Sequence, residues 1–178
     1  MSTSEQSRYQ VRFEFGISGA HAVGSDADVI IWADALGDSF DVPVSELPDT
    51  PGVWVTSLTN AVATADAVLA EQVRLGRRFA TAVIAAPGNR AGEDRFAVEN
   101  FLVAGAVIDR LSTLGLDATS PEAASAEAAY RTLGRAVGHL ITASATGVSR
   151  EEQITASALK VNPEATAADV AVLRSIRD

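Results

Sequence analysis

The chain contains no cysteine, and Lys160 is its only lysine. Without cysteine the protein cannot form disulfides, thiolate metal sites or a cysteine nucleophile, and this usage fits a reducing compartment. Aromatic residues make up only 6% of the 178 residues, whereas 47% are hydrophobic. Alanine supplies much of that fraction, so we expect closely packed helices in one domain.

Long apolar runs and clusters of positive charge are also missing. No run reaches the roughly 18 residues of a membrane-spanning helix, and the polar start MSTSEQSR has no apolar signal-peptide core. The net charge is −9, and binding to a phosphate backbone needs clustered lysine and arginine. We therefore expect a cytoplasmic protein that binds neither nucleic acid nor membranes.

The order of apolar patterns predicts the fold class. Segments 8–15, 28–34, 52–58 and 81–87 have strand patterns, the first alternating like an edge strand, whereas 28–34 and 81–87 are continuous like central strands. Helical patterns follow, with capping signals at several starts, over residues 61–76, 94–115, 120–143, 149–160 and from 166 onward. Strands that alternate with helices predict an α/β protein with three α/β/α layers, a small mixed or mostly parallel sheet and an α-helical C-terminal half. We expect residues 1–7 to be a disordered tail and residues 8–178 to form the single domain.

Polar residues follow several of the predicted strands. Ligands of open α/β sheets gather at the carboxyl ends of the strands, where the chain carries, in order, Asp34, Asn60, Asn89, Arg90, Arg95, Glu99 and Asn100. Glu99 and Asn100 interrupt an otherwise apolar helical stretch, and a buried charge is costly unless it is paired. Two carboxylates with amide oxygens can form a Mg²⁺ site, and arginines beside a helix N-terminus can bind an anion.

Purely structural roles are also open for these residues. Asp34 can cap a turn after its strand, Asn60 can cap a helix, and Glu99 can form an ion pair with Arg95, four residues earlier. The segment GNRAG at 88–92 matches neither the Walker nor the dinucleotide-binding spacing. The residues alone therefore predict an acidic α/β domain with a candidate Mg²⁺ crevice.

Several segments occur in an order that resembles the ComB-like family of 2-phosphosulfolactate phosphatases. VIIWADAL is similar to that family's strand ending in aspartate, which corresponds to Asp34, and SLTNAVATA is similar to a segment that carries an asparagine, here Asn60. VIAAPGNR, RFAVENFLVAGAVIDRL and TSPEAASAEAAY resemble further family segments, with the greatest similarity between residues 56 and 130.

The chain also departs from the family pattern. Thr59 stands where the family has an arginine, Asn89 where it has a glutamate and Asn100 where it has an aspartate, and a middle section is missing between residues 37 and 53. The late family segment corresponds to SATGVSREE at 144–152. The exchanges remove charge from the inferred crevice, which weakens cation and phosphate binding.

The resemblance implies a Mg²⁺-dependent phosphatase of a small anionic phosphate monoester. Asp34 and Glu99 would then be catalytic and metal-binding, and the substrate-binding residues would be Asn60, Asn89, Arg90, Arg95 and Asn100. The departures favour an alternative, a catalytically degenerate relative that binds a metabolite or a protein. An alanine-rich helical surface with an edge strand also makes a homodimer an expectation.

Overall fold

The computed structural model describes residues 5–37, 42–90, 93–149 and 154–177, with the backbone alone for residues 89, 90 and 93. In this part of the chain there are seven strands: β1 (Val11–Phe15), β2 (Val29–Ala33), β3 (Gly52–Thr56), β4 (Thr81–Ala85), β5 (Gly88–Arg90), β6 (Glu93–Arg95) and β7 (Ala171–Arg174). The α-helices of the same residues are α1 (Gly16–Gly24), α2 (Ala61–Leu75), α3 (Val98–Thr113), α4 (Pro121–Leu133), α5 (Val137–Ala143) and α6 (Ala145–Ser149). None of these helices is long and apolar enough to cross a membrane.

The main sheet has five strands in the order β1–β4–β2–β3–β7. The first four are parallel, and β7 runs antiparallel to β3. Strands β5 and β6 form a separate antiparallel hairpin. The predicted α/β class with a small, mostly parallel mixed sheet is therefore confirmed.

Both faces of the sheet are covered, which gives the three layers. Every residue of β2, β3 and β4 is buried, as the continuous apolar runs predict. On one face Ile31, Val83 and Trp54 pack in a core with α2, α3 and α4. On the other face Ile30 and Ile84 pack against α1 and the segment around residues 42–47.

The outer edge of β1 is covered by other parts of the chain. The side-chain amide of Gln6 donates to the Phe13 carbonyl at 3.1 Å and accepts from the Phe13 N–H at 3.1 Å. Residue Val11 pairs there with Thr119. The edge position of β1 agrees with its sequence pattern, and these bonds occupy groups that could otherwise pair with a second chain. Residues 5–8, partly within the predicted disordered tail, form the turn that carries Gln6.

The structure corrects the predicted start of the third helix. Helix α3 begins at Val98 instead of residue 94, because Glu93–Arg95 pairs with Gly88–Arg90 as strand β6. Helix α1 is not predicted by the sequence patterns, since its sequence GISGAHAVG is rich in glycine, a poor helix former. It forms where tertiary packing favours it, with Gly19 close against Glu14 and Gly24 close against Ile30.

The predicted C-terminal helices need three further corrections. The predicted helix 120–143 is interrupted by a 3₁₀ turn at Gly134–Ala136, although its predicted cap is confirmed by a 3.1 Å bond from the Ala123 N–H to Ser120 Oγ. Residues 154–160 contain a turn instead of a helix, and residues 150–153 of that prediction lie outside the described part. The capping box of Thr166 and Asp169 is present, but it starts a 3₁₀ turn followed by strand β7. Residues Ala171–Arg174, three of which are apolar, pair with the edge of β3 as the fifth strand of the sheet.

Helices α3 and α4 approach each other closely at Gly105, so we expect Gly105→Ala to destabilise the protein by about 1–3 kcal/mol. A Cβ at this position would collide with the Ala126 carbonyl oxygen and press on Tyr130. This strain exceeds the helix-propensity gain of about 1 kcal/mol for replacing glycine by alanine. Urea denaturation measures the free energy of unfolding. Gly134→Ala is the control, because the nearest atom lies 3.9 Å from its Cβ position, and an equal effect of the two changes would contradict the explanation.

Candidate functional site

A small cleft opens at the carboxyl ends of β2 and β4, beside the first turn of α3. Its volume is about 150 Å³, and it is lined by Asp34, Leu36, Gly37, Pro87, Gly88, Glu99, Asn100 and Thr146. The chain leaves these two strands toward opposite faces of the sheet, since residues 42–47 after β2 pack on the α1 face and β4 leads through the hairpin to α3 on the other face. Such reversal points are where open α/β sheets bind ligands. The structure thus brings together Asp34, Glu99 and Asn100 from the predicted set.

Glu99 is the least satisfied polar residue of this cleft. Its side chain is 1% exposed, and neither carboxylate oxygen accepts a hydrogen bond from the described part of the chain. The nearest cation is Arg95, whose Nη2 lies 3.7 Å from Glu99 Oε1, which is too long for a hydrogen bond. The predicted ion pair is therefore present as a loose contact that leaves the carboxylate without a directed partner.

One of the two carboxylate oxygens of Asp34 is hydrogen-bonded within its own loop. Its Oδ1 accepts hydrogen bonds from the backbone N–H groups of Leu36 at 3.1 Å and Gly37 at 2.8 Å. This arrangement is the turn-capping role that the sequence left open. The described residues make no hydrogen bond to Oδ2, which lies where a Cβ of residue 37 would stand. Glycine at position 37 thus lets the chain fold close around this carboxylate.

Asn100 joins the two loops that form the cleft. Its Oδ1 accepts from the Ala35 N–H at 2.8 Å, and its Nδ2 donates to the Ala86 carbonyl at 2.8 Å. Ala35 follows β2 and Ala86 follows β4, and the Asn100 side chain is buried. Both ends of the amide are therefore used to position backbone. Asn100 thus holds in place the two loops that line the cleft.

Arg95 lies at the rim of the cleft. It donates from Nη1 to the Phe96 carbonyl at 2.8 Å and from Nη2 to Thr146 Oγ1 at 2.6 Å. Its guanidinium also lies over Gly88, where a Cβ would meet Arg95 Cζ. The bond to Thr146 connects helix α6 to the rim of the cleft and holds the Arg95 guanidinium near Glu99.

The other predicted site residues lie apart from the cleft or cannot be placed. Asn60 Oδ1 accepts from the Ser57 N–H at 2.8 Å, and Asn60 Nδ2 donates to the Asp169 carbonyl at 2.9 Å. It thereby holds the C-terminal segment, and it does not cap α2 with its side chain. The backbones of Asn89 and Arg90 lie in β5, while their side chains are outside the described part of the structure.

No protein-family model matches this chain, and no curated protein shows significant similarity to it. The resemblance to 2-phosphosulfolactate phosphatases therefore stays a prediction, and the geometry of the cleft has to be judged by itself.

The cleft offers few protein ligands to a divalent cation. Within the described ranges no group of three or more histidine, cysteine, aspartate or glutamate side chains is placed to bind a metal. Two carboxylates remain, Asp34 and Glu99, and Mg²⁺ is often bound by one or two carboxylates together with waters and substrate phosphate oxygens. The two Glu99 oxygens accept no hydrogen bond from the described residues, and a cation would offset the cost of burying them.

Thr146 and Gly37 are cleft residues that the sequence reasoning missed. Thr146 comes from helix α6, far along the chain, and contributes a hydroxyl next to Arg95. The one sequence signal was its place in the segment 144–152, which corresponds to a late family segment. Gly37 had no signal, because the need for glycine arises only from the approach of the loop to Asp34.

Proposed function

We propose that the cleft binds Mg²⁺ and a small anionic phosphate monoester and hydrolyses the ester. The observation that carries this proposal is the buried Glu99 carboxylate without a hydrogen-bond partner, facing a cleft that it shares with Asp34. A buried carboxylate that accepts no hydrogen bond is destabilising, and a bound cation would offset that cost. The resemblance to Mg²⁺-dependent phosphatases supplies the class of reaction.

Asp34 and Glu99 are the residues that would hold the cation. Bound Mg²⁺ supplies Lewis-acid polarisation of a phosphoryl oxygen. Asp34 is held by two backbone N–H groups, so its free oxygen keeps a fixed direction. Glu99 is fixed on the first turn of α3 and is closed off from bulk water, which strengthens its attraction for a cation.

The size and charge of the cleft limit the substrate. A volume of about 150 Å³ is below the roughly 300–1,000 Å³ of pockets for drug-sized ligands. Arg95 and the N-terminal N–H groups of α3 offer positive charge to the phosphate. With a net charge of −9 on the whole chain, these local groups are needed to bind a polyanion. The cleft therefore suits a small phosphate ester, and the resemblance implies that the ester carries a further anionic group.

A second candidate, binding without turnover, is favoured by the commitment of Asn100. Its amide oxygen and its amino group each bond to a backbone group, and by the resemblance it stands where the family has an aspartate. Only two carboxylates of the described residues line the cleft. Removing one group that stabilises the charge of the transition state raises the activation free energy by about 2.7–4 kcal/mol. A cleft with fewer charged groups can therefore lose turnover while the fold and ligand binding persist.

We expect phosphate release from 2-phosphosulfolactate or another member of a small phosphate-monoester panel with Mg²⁺, and none with EDTA. Asp34→Asn is expected to lower the rate by roughly 100-fold or more, because it removes charge that positions the cation. Phosphate release is measured with each substrate, and Mg²⁺-dependent thermal stabilisation is measured in parallel.

Asp117→Asn is the matched control, since Asp117 is exposed and remote from the cleft. It should keep both the turnover and the Mg²⁺ response of the parent. A parent protein that Mg²⁺ stabilises but that releases no phosphate would support the binding candidate. A parent protein that shows neither effect would refute the proposed metal site.

A further inference from the structure

A larger pocket lies away from the cleft, at the junction of α4 and α5. Its volume is about 700 Å³, and it is bounded by the 3₁₀ turn Gly134–Ala136, by α5 and by residues 155–161. This volume falls within the roughly 300–1,000 Å³ typical of small-molecule sites. None of the residues assigned to the proposed phosphatase site lines it. The pocket therefore needs a separate account.

The charged residues of this pocket have one sign. The cations Arg135 and Lys160 line it together with His139, and none of the described lining residues is aspartate or glutamate. Lys160 is the only lysine of a chain whose net charge is −9. Against that background a pocket bounded by basic side chains is a local reversal of charge, and such reversals concentrate anions. The described residues form no ion pair with Arg135 or Lys160.

Part of the remaining wall is apolar and aromatic, and Thr155 and Ser157 add hydroxyl groups. Val137 and Leu159 are buried in the main core and line the pocket, and the half-buried Tyr130 adds an aromatic ring. Burial, with a smaller contribution from Asp109, raises the pKa of Tyr130, so its hydroxyl stays protonated and able to donate a hydrogen bond near neutral pH. The pocket thus combines an apolar surface, a hydroxyl donor and cations.

Close packing fixes the shape of this pocket. Gly138 of α5 lies against the Ala156 and Leu159 carbonyls, where a Cβ would collide with backbone. Leu159 packs in the main core, so moving it would cost buried apolar contacts. These contacts hold α5 against residues 156–159, and a pocket whose walls are already packed loses less entropy when it binds.

We propose that this pocket is a binding site for a small organic anion with an apolar body, such as an aryl sulfonate or an aryl carboxylate. The apolar body would lie against Tyr130, Val137 and Leu159. Its acidic group would face Arg135 and Lys160. This site is distinct from the proposed phosphatase cleft and does not depend on it.

The test is a titration of the ¹⁵N-labelled protein with naphthalene-2-sulfonate, followed by ¹H–¹⁵N correlation spectra. The amide signals of Gly134 and Gly138, which line the pocket, should shift with a common Kd. Those of Gly76 and Gly115, at the ends of α2 and α3, should stay in place. The double variant Arg135→Gln/Lys160→Gln should bind about tenfold more weakly, since each cation contributes a near-surface charge interaction.

Arg177→Gln is the charge control, because Arg177 is exposed near the β7 edge of the sheet and is not among the residues that line the pocket. It should leave the Kd unchanged. The uncharged naphthalene-2-methanol should bind the parent more weakly than the sulfonate does. Equal affinity of the sulfonate for the parent and the double variant would overturn the proposal. So would the absence of any shift at Gly134 and Gly138 at millimolar ligand.

Discussion

Replacing Glu99 by glutamine is expected to raise the free energy of unfolding in EDTA by about 1 kcal/mol or more, since an unsatisfied buried charge costs more than the roughly 1–3 kcal/mol of an unsatisfied neutral group. The Glu99 carboxylate is 1% exposed and lacks a hydrogen-bond partner among the described residues. An amide of the same shape carries no net charge, so leaving it unpaired costs less than leaving a carboxylate unpaired. Most substitutions of buried residues destabilise proteins, so a gain in stability would be diagnostic.

The same change should remove the response to Mg²⁺. In the parent protein the cation is expected to stabilise the folded state, because it binds the folded cleft and not the unfolded chain. In Glu99→Gln the melting temperature should be the same in Mg²⁺ and in EDTA, and phosphate release should be lost. Urea and thermal denaturation with and without Mg²⁺ measure these effects.

Glu127→Gln is the matched control for this change. Glu127 is 14% exposed and has partners, namely Arg131 Nη1 at 3.3 Å and Ser112 Oγ at 3.1 Å. Its replacement should lower stability slightly in both buffers, since it removes an ion pair with the exposed helix neighbour Arg131. If Glu99→Gln also lowers stability, the loose contact with Arg95 at 3.7 Å is a stabilising ion pair, and Glu99 is structural.

The sequence predicts the main sheet well because burial dictates its residues on both faces. Strands β2 and β4 are continuous apolar runs that end in polar or proline-containing turns, and they lie in the middle of the parallel strands. Helix α2 ends at Gly76, whose φ of 62° is the left-handed conformation that favours glycine. In each case the local signal and the tertiary environment agree.

The sequence fails where distant contacts decide the local structure. Strand β7 is preceded by a genuine capping box, but its residues pair with the free edge of β3. Residues 94 and 95 have a helical pattern with those that follow them, but they pair with β5. These pairings join elements that a local pattern cannot bring together, and they override weak helix propensities of well under 1 kcal/mol per residue.

The candidate site shows the same division. The rule that ligands gather at strand ends places Asp34 and Glu99 at one cleft. The same rule cannot tell a residue that faces a ligand from one that holds the loops, and Asn60 and Asn100 are engaged with backbone. Thr146 is brought in by α6 and its bond to Arg95, a contact that depends on the packing of the whole C-terminal half.

Replacing Asn100 by aspartate, the residue of the resembled family, is expected to destabilise the protein by about 3–5 kcal/mol at pH 8, as an uncompensated buried charge does. The Asn100 amide donates to the Ala86 carbonyl at 2.8 Å and accepts from the Ala35 N–H at 2.8 Å. An ionised carboxylate can still accept from the Ala35 N–H, but its other oxygen faces the Ala86 carbonyl oxygen and repels it. Urea denaturation gives the loss.

The loss should depend on pH. Only the protonated form of the introduced carboxyl group can donate to the Ala86 carbonyl, so folding raises its pKa above the value of about 3.9 in the unfolded chain. The folded state then binds more protons than the unfolded state, and stability relative to the parent falls as the pH rises above 4. The deficit should therefore be small at pH 4 and large at pH 8.

Asn162→Asp is the control that separates donor from acceptor. Asn162 is exposed, and its Oδ1 accepts from the Glu164 N–H at 3.1 Å, a role that a carboxylate keeps. It should therefore be nearly neutral at both pH values. If Asn100→Asp is equally neutral and increases Mg²⁺-dependent phosphate release, the cleft is a phosphatase site that has lost one carboxylate. If it destabilises the protein as expected, Asn100 has a structural role in positioning the two loops. Any activity then has to come from Asp34 and Glu99 without a third carboxylate at position 100.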